Sequence, residues 1–245
     1  MVTVTIEREI RNEKNAKQKL CFGESDKENK PLLVWKGIEY LKYSLTDVDK
    51  VIKIKDVYYF IEAKHNGAQM ETGQKLAFER LVNDIVSVGR KAMYILVNHT
   101  QNNNKAITMD DCQIEKIYRY GEGWKEEKDY QTLNEFIENE KNKLGNEIIY
   151  FTKIDALLEM KNKSYLFIET SNDSEKKKFL IELSELLQKA GKDSLILFVT
   201  GEVKDEKTNL LDCSINALNK NGIWYKTNKT NIQDNFTWFY QKYAS

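Results

Sequence analysis

Two carboxylates and a lysine within one short stretch are the residues of this chain best suited to chemistry. In DVDKVIKIKDVYYFIEAKH, residues 47–65, Asp49 heads one apolar run, and Glu62 and Lys64 close the next. Side chains alternate along a strand, so Glu62 and Lys64 share a face while Ile61 and Ala63 turn the other way. A hairpin between the two runs would set Asp49 beside Glu62. Two carboxylates supply hard oxygen ligands for a divalent cation, and an ammonium can orient a water or meet charge developing on a phosphate. Without a cation the carboxylates would repel and one pKa would rise, a conflict that bound Mg²⁺ or Mn²⁺ removes. Asp47 competes for the ligand position. Asp49 is preferred because apolar residues follow it at the strand period. His65, next to Lys64, is a candidate phosphate contact.

The elements that must position these residues occur twice. YSLTDVDKVIKIKDVYYFIEAK (43–64) matches YFTKIDALLEMKNKSYLFIETS (150–171), aligning Asp49 with Asp155, Glu62 with Glu169, and Lys153 with Asp47. An amphipathic helix follows in each, GQKLAFERLVNDIVSVG and EKKKFLIELSELLQKAG, with stops at Gly89 and Gly191. The strands AMYILVNH and SLILFVTG come next. Then DDCQIEKIYRYGEGWK matches LDCSINALNKNGIWYK, pairing Cys112 with Cys213 and Trp124 with Trp224. Even the leading helices share a trace, IRNEKN at 10–15 and IENEKN at 137–142.

Five matches in one order predict a tandem duplication, with domains at 1–126 and 127–245. Each half reads as helix, β-hairpin, helix, strand, strand, helix. The β-α-β crossover in each requires parallel strands, so the expected fold class is α/β, a mixed sheet flanked by helices in each of two domains. The polar segment GESDKENKP (23–31) has no counterpart in the second half and reads as a loop.

Composition narrows the functional classes. Lys plus Arg and Asp plus Glu number 38 each among 245 residues, so any nucleic-acid surface is local rather than a global basic field. Three cysteines, Cys21, Cys112 and Cys213, lie far apart without a CxxC pair, which argues against a disulfide framework and a zinc site. The paired cysteines read as small buried apolar residues. No apolar run approaches the roughly 20 residues of a membrane helix. The start, MVTVTIEREIRNEKN, reaches charge early, and a soluble cytoplasmic protein is expected. Trp124, Trp224 and the aromatic tail FTWFYQKY (236–243) read as packing groups, the tail as a helix face.

On VDKVI (48–52), IEAK (61–64) and the order of helix, hairpin, helix and strand, the chain resembles the PD-(D/E)XK nuclease superfamily, with its restriction-endonuclease-like fold. The resemblance implies that Asp49, Glu62 and the Ala63 carbonyl bind Mg²⁺ or Mn²⁺ and that Lys64 positions or activates the attacking water. It implies that Gln74, opening the next helix as QKLAF, contacts the substrate backbone, although Phe78 stands where relatives carry a tyrosine. It also implies a first-helix glutamate, for which Glu9 and Glu13 are both candidates. The implied activity is metal-dependent endonucleolytic hydrolysis of phosphodiester bonds in DNA. RNA cleavage and a catalytically silent nucleic-acid-binding or assembly protein are the alternatives. In the second half Ser171 replaces Lys64, so that copy reads as degenerate, structural or substrate-binding, with Asp155 and Glu169 retained. One competent centre implies nicking, action on a single strand, or pairing of two chains as a homodimer.

Overall fold

The computed structural model describes residues 8–9, 20–21, 32–35, 45–100, 107–145, 148–159, 164–170, 173–200, 207–209 and 213–225. Three short strands come first, β1 (Arg8–Glu9), β2 (Leu20–Cys21) and β3 (Leu32–Trp35). The hairpin β4 (Leu45–Ile54) and β5 (Val57–His65) leads into α1 (Thr72–Ser87) and β6 (Lys91–His99). Then follow β7 (Ile107–Thr108), β8 (Gln113–Arg119), β9 (Gly123–Glu126) and α2 (Leu133–Leu144). The chain continues through β10 (Ile148–Glu159), β11 (Tyr165–Glu169), α3 (Ser174–Lys189) and β12 (Ser194–Thr200). It closes with β13 (Lys207–Asn209), β14 (Ser214–Lys220) and β15 (Ile223–Tyr225). The fold is α/β and mostly sheet, with mixed pairing and three helices among the described residues.

The repeat read in the sequence is present in the strand pairing. β4-β5-β6-β8-β9 runs antiparallel, parallel, antiparallel, antiparallel, and β10-β11-β12-β14-β15 runs the same way. Both copies carry a bulge at the matching place, between Leu96 and Val97 and between Phe198 and Val199. The helices match as well. α1 buries Gln74, Ala77, Phe78, Leu81, Val82 and Ile85. At the same helical positions α3 buries Lys176, Phe179, Leu180, Leu183, Ser184 and Leu187. This three- and four-residue spacing gives each helix one face to lay on its sheet. Gly89 (φ +80°) and Gly191 (φ +73°) adopt left-handed backbone just beyond the helix ends, where a side chain would be strained.

Packing departs from the repeat in two places. By compactness one unit holds residues 48–154 with 17–29, and the other 155–245 with 1–16 and 30–47. The division expected after residue 126 therefore falls inside the first unit, because α2, the leading helix of the second repeat, completes the first repeat's core. Leu133, Phe136 and Ile137 of α2 join Ile52, Tyr59, Ile61, Ile95 and Ile117 in one buried cluster. A capping box between Thr132 and Glu135 starts α2, and Gln113 bridges to Thr132. Register puts Tyr94 on the face of Phe60 and Tyr59 on the other face. Phe78 of α1 stacks on Tyr94 at 4.2 Å, and Phe136 of α2 meets Tyr59 edge-on at 5.9 Å. Helices therefore cover both faces of β4-β5-β6-β8-β9.

The leader of the first repeat goes the other way. β1 pairs with β3, and β3 pairs in parallel with β13. Glu9 thus lies on a strand and not on the leading helix expected for it, because its backbone is taken up by pairing with Val34. Glu13, the segment 10–15, the loop 23–31 and the tail 236–243 lie outside the described residues. Trp124 follows a glycine turn, on the hairpin from β8 to β9 that turns at Gly121. Cys112 and Cys213 are buried immediately ahead of β8 and β14, as matched small residues should be. No helix among the described residues is long and apolar enough to cross a membrane.

Candidate active site

β4 and β5 form a hairpin whose last regular pair is Lys50 with Ile61. Continuing that register sets Asp49 opposite Glu62, and the ladder hands over to a side chain there: Asp49 Oδ2 accepts the Ala63 N–H at 2.9 Å. The carboxylate stands in for a strand carbonyl and is held against the Ala63 backbone. Glu62 and Lys64 lie one strand repeat apart on the face that α1 covers. Lys64 Nζ donates to Glu62 Oε1 at 2.7 Å, and the same oxygen accepts from Gln74 Nε2 at 2.8 Å. Gln74 Oε1 in turn accepts from Lys64 Nζ at 3.1 Å, which closes a triangle of three side chains. Glu62, Asp49 and Gln74 are buried, whereas the Lys64 side chain keeps about one-fifth of its surface exposed at 20%.

The local sequence explains this convergence. Glu62 sits opposite Leu96 on β6, at the bulge toward β8, a device that re-aims side chains next to a site. Beyond Lys64 the chain is pinned by pairing of His65 with His99 and by a turn in which Asn66 N–H donates to the His99 carbonyl at 2.9 Å and Gly67 N–H to Asn98 Oδ1 at 2.9 Å. α1 then begins, and Gln74 occupies the first position of its buried stripe.

Asp49, Glu62, Ala63, Lys64 and Gln74, singled out in the sequence, thus lie together. Gln74 is engaged with Glu62 and Lys64, a positioning contact that its motif does not announce. His65 stands at the edge, its ring 5.1 Å from that of His99. His99 is the residue sequence reasoning missed. Burial, then the neighbouring His65, lower the pKa of His99 from its ordinary 6.5, with Asp49 opposing. Only the parallel register of β5 with β6 brings the two imidazoles together, and nothing local in the sequence fixes that register.

Asp49, Glu62 and the Ala63 carbonyl form an all-oxygen donor set, the chemistry a hard divalent cation prefers. Among the described residues no three His, Cys, Asp or Glu side chains gather as a metal group. Two carboxylates suffice for Mg²⁺, which keeps waters and binds substrate phosphate in its remaining positions. In the second repeat Glu169 ends β11 and forms an ion pair with Lys176 of α3, both buried. Asp155 lies on β10, next in sequence to Ala156, which pairs with Ile168. Ser171 lies outside the described residues.

Compared with models of protein families, with curated proteins and with solved structures, the chain finds no match in any of the three.

Proposed function

We propose that this protein is a divalent-metal-dependent nuclease of the PD-(D/E)XK type that hydrolyses phosphodiester bonds in DNA, with its working site in the N-terminal repeat. The observation that carries the reading is the shared Glu62 oxygen, bonded to both Lys64 and Gln74, beside an Asp49 carboxylate fixed on the Ala63 backbone. Asp49, Glu62 and the Ala63 carbonyl would hold the cation, which when bound supplies Lewis-acid stabilisation of the phosphoryl oxygens. Lys64, whose side chain is one-fifth exposed at 20%, orients the attacking water and meets negative charge on the phosphate. Glu62 and Gln74 restrict the lysine to one geometry, so little ordering is left for the moment of reaction. His65, at the edge, would contact a flanking phosphate.

In this proposal the chain carries two tandem restriction-endonuclease-like copies, the second without a strand lysine. A single competent centre fits nicking, single-strand cutting, or a homodimer that brings two centres to a duplex.

The test is cleavage of linear, nicked and supercoiled duplex, a four-way junction, a flap, single-stranded DNA and RNA, with Mg²⁺, Mn²⁺ or EDTA. Metal-dependent cutting of DNA that Lys64→Ala abolishes is the expected result. Cutting confined to RNA reassigns the substrate. Substrates left intact by the wild type, with salt-dependent binding that survives Lys64→Ala, identify a silent nucleic-acid-binding protein and overturn the catalytic assignment.

A further inference from the structure

The two repeats place a glutamate at the same point and meet it with different groups from the same helical position. Glu62 and Glu169 each lie on the strand that precedes the helix, one step beyond matching registers, Glu62 within β5 and Glu169 at the end of β11. Gln74 and Lys176 are each the third residue of the helix and the first of its buried stripe. In the first repeat that position contributes an amide, and the cationic group comes from the strand, Lys64. In the second it contributes an ammonium, and the sequence has Ser171 where the strand lysine would stand. The positive charge has moved from strand to helix.

Accessibility differs with it. The Lys64 side chain is 20% exposed, so solvent reaches it. The Lys176 side chain is 4% exposed and that of Glu169 is 0%. A buried carboxylate needs a cationic or hydrogen-bonding partner. A divalent ion would have to occupy space that the ammonium fills, and no substrate reaches a sealed pair. We propose that in the C-terminal repeat the Lys176 ammonium takes the place of the divalent cation and closes this copy to metal and substrate. That the N-terminal copy holds the metal rests on the function proposed above; the closure of the C-terminal copy rests on the ion pair alone.

The test counts bound Mn²⁺ by electron paramagnetic resonance on the full chain and reads thermal midpoints in EDTA and in Mn²⁺. Lys176→Gln gives α3 the residue that α1 carries. In EDTA it should lower the midpoint by roughly 10 °C, because Glu169 is left buried without the ammonium. Lys176→Gln combined with Glu169→Gln should recover most of that loss. Mn²⁺ should restore the single variant and bind one site more per chain than in the wild type. The proposal is overturned if Lys176→Gln binds no more Mn²⁺ than the wild type or is not rescued by it. It is equally overturned if wild-type Mn²⁺ binding depends on Glu169, or if folded Lys176→Gln loses cleavage, which would make Lys176 catalytic. A wild type that binds no Mn²⁺ alongside a Lys176→Gln variant that binds it would sink the N-terminal nuclease site and leave this inference standing.

Discussion

Replacing Gln74 by leucine isolates what the helix contributes to the site. The Gln74 amide donates to Glu62 and accepts from Lys64, at 2.8 and 3.1 Å, in a buried position. Leucine is close in size and has no polar atoms, so the change removes both bonds without opening a large cavity. A hydrogen bond to a charged group contributes about 1.5–3 kcal/mol, and the added apolar surface returns about 1 kcal/mol. Lys64 and Glu62 keep their own 2.7 Å contact, and the lysine is partly screened by solvent. The expected loss is therefore at the low end, about 2–3 kcal/mol. Urea unfolding followed by tryptophan fluorescence measures it, since Trp124 packs on Tyr94 and Tyr118 in the same unit. A lysine released from the amide should also lower kcat about 10- to 100-fold with little change in KM. A double-mutant cycle with Lys64→Met should give a coupling energy of about 1–2 kcal/mol. A loss under about 0.5 kcal/mol, or strict additivity in the cycle, would mean that the three side chains do not act as one unit.

Phe136→Ala, at the contact of α2 with Tyr59, should destabilise the N-terminal site by about 3–5 kcal/mol, read as an earlier loss of cleavage on heating; a neutral effect would deny α2 its place in that core. His99, with its pKa lowered by burial and His65, resists protonation in the fold but not in the unfolded chain. Its contribution is thus present above the unfolded value near 6.5 and is lost as pH falls through the folded one. An NMR titration of metal-free protein should give His99 a midpoint below 6.5 that His65→Asn raises, and a midpoint at or above 6.5 refutes the assignment. Gln74→Lys should import the C-terminal arrangement, lowering Mn²⁺ binding and cleavage by about 100-fold or more while leaving stability within about 1 kcal/mol. Cleavage at the wild-type rate would show that an ammonium from this helix position does not displace the cation.

The hairpin, α1 and the carboxylate–lysine cluster are legible in the sequence because each follows from a local period. Burial of one face writes alternation into β5 and a three- and four-residue stripe into α1, and the cluster falls within 26 consecutive residues, from Asp49 to Gln74. The duplication is legible because the same periods recur in the same order. His99 is hidden because a parallel register is set across a crossover and leaves no local trace. Lys176 is hidden differently. Among the lysines of SEKKKF its neighbours read as solvated charge, and only its alignment with Gln74 on the buried stripe separates it from Lys177 and Lys178. The strand at Glu9 and the placement of α2 fail for a third reason: which surface a short element covers is decided by tertiary packing, and propensity does not see it.

The two repeats exchange the elements that lead into them. α2 precedes the second repeat in the chain and closes the core of the first, while β3 precedes the first hairpin and pairs with β13 beyond the second. Cutting the chain at the sequence boundary would strip α2 from Tyr59 and expose Leu133, Phe136 and Ile137. Each repeat is then completed by an element that lies outside it in the sequence. A carboxylate in the core of either repeat cannot simply be left uncompensated; it has to be removed or neutralised where it stands. A lysine at the first buried position of α3 does the second with one substitution, within reach of Glu169 by helix geometry alone. The buried Glu169 is thereby compensated within its own repeat.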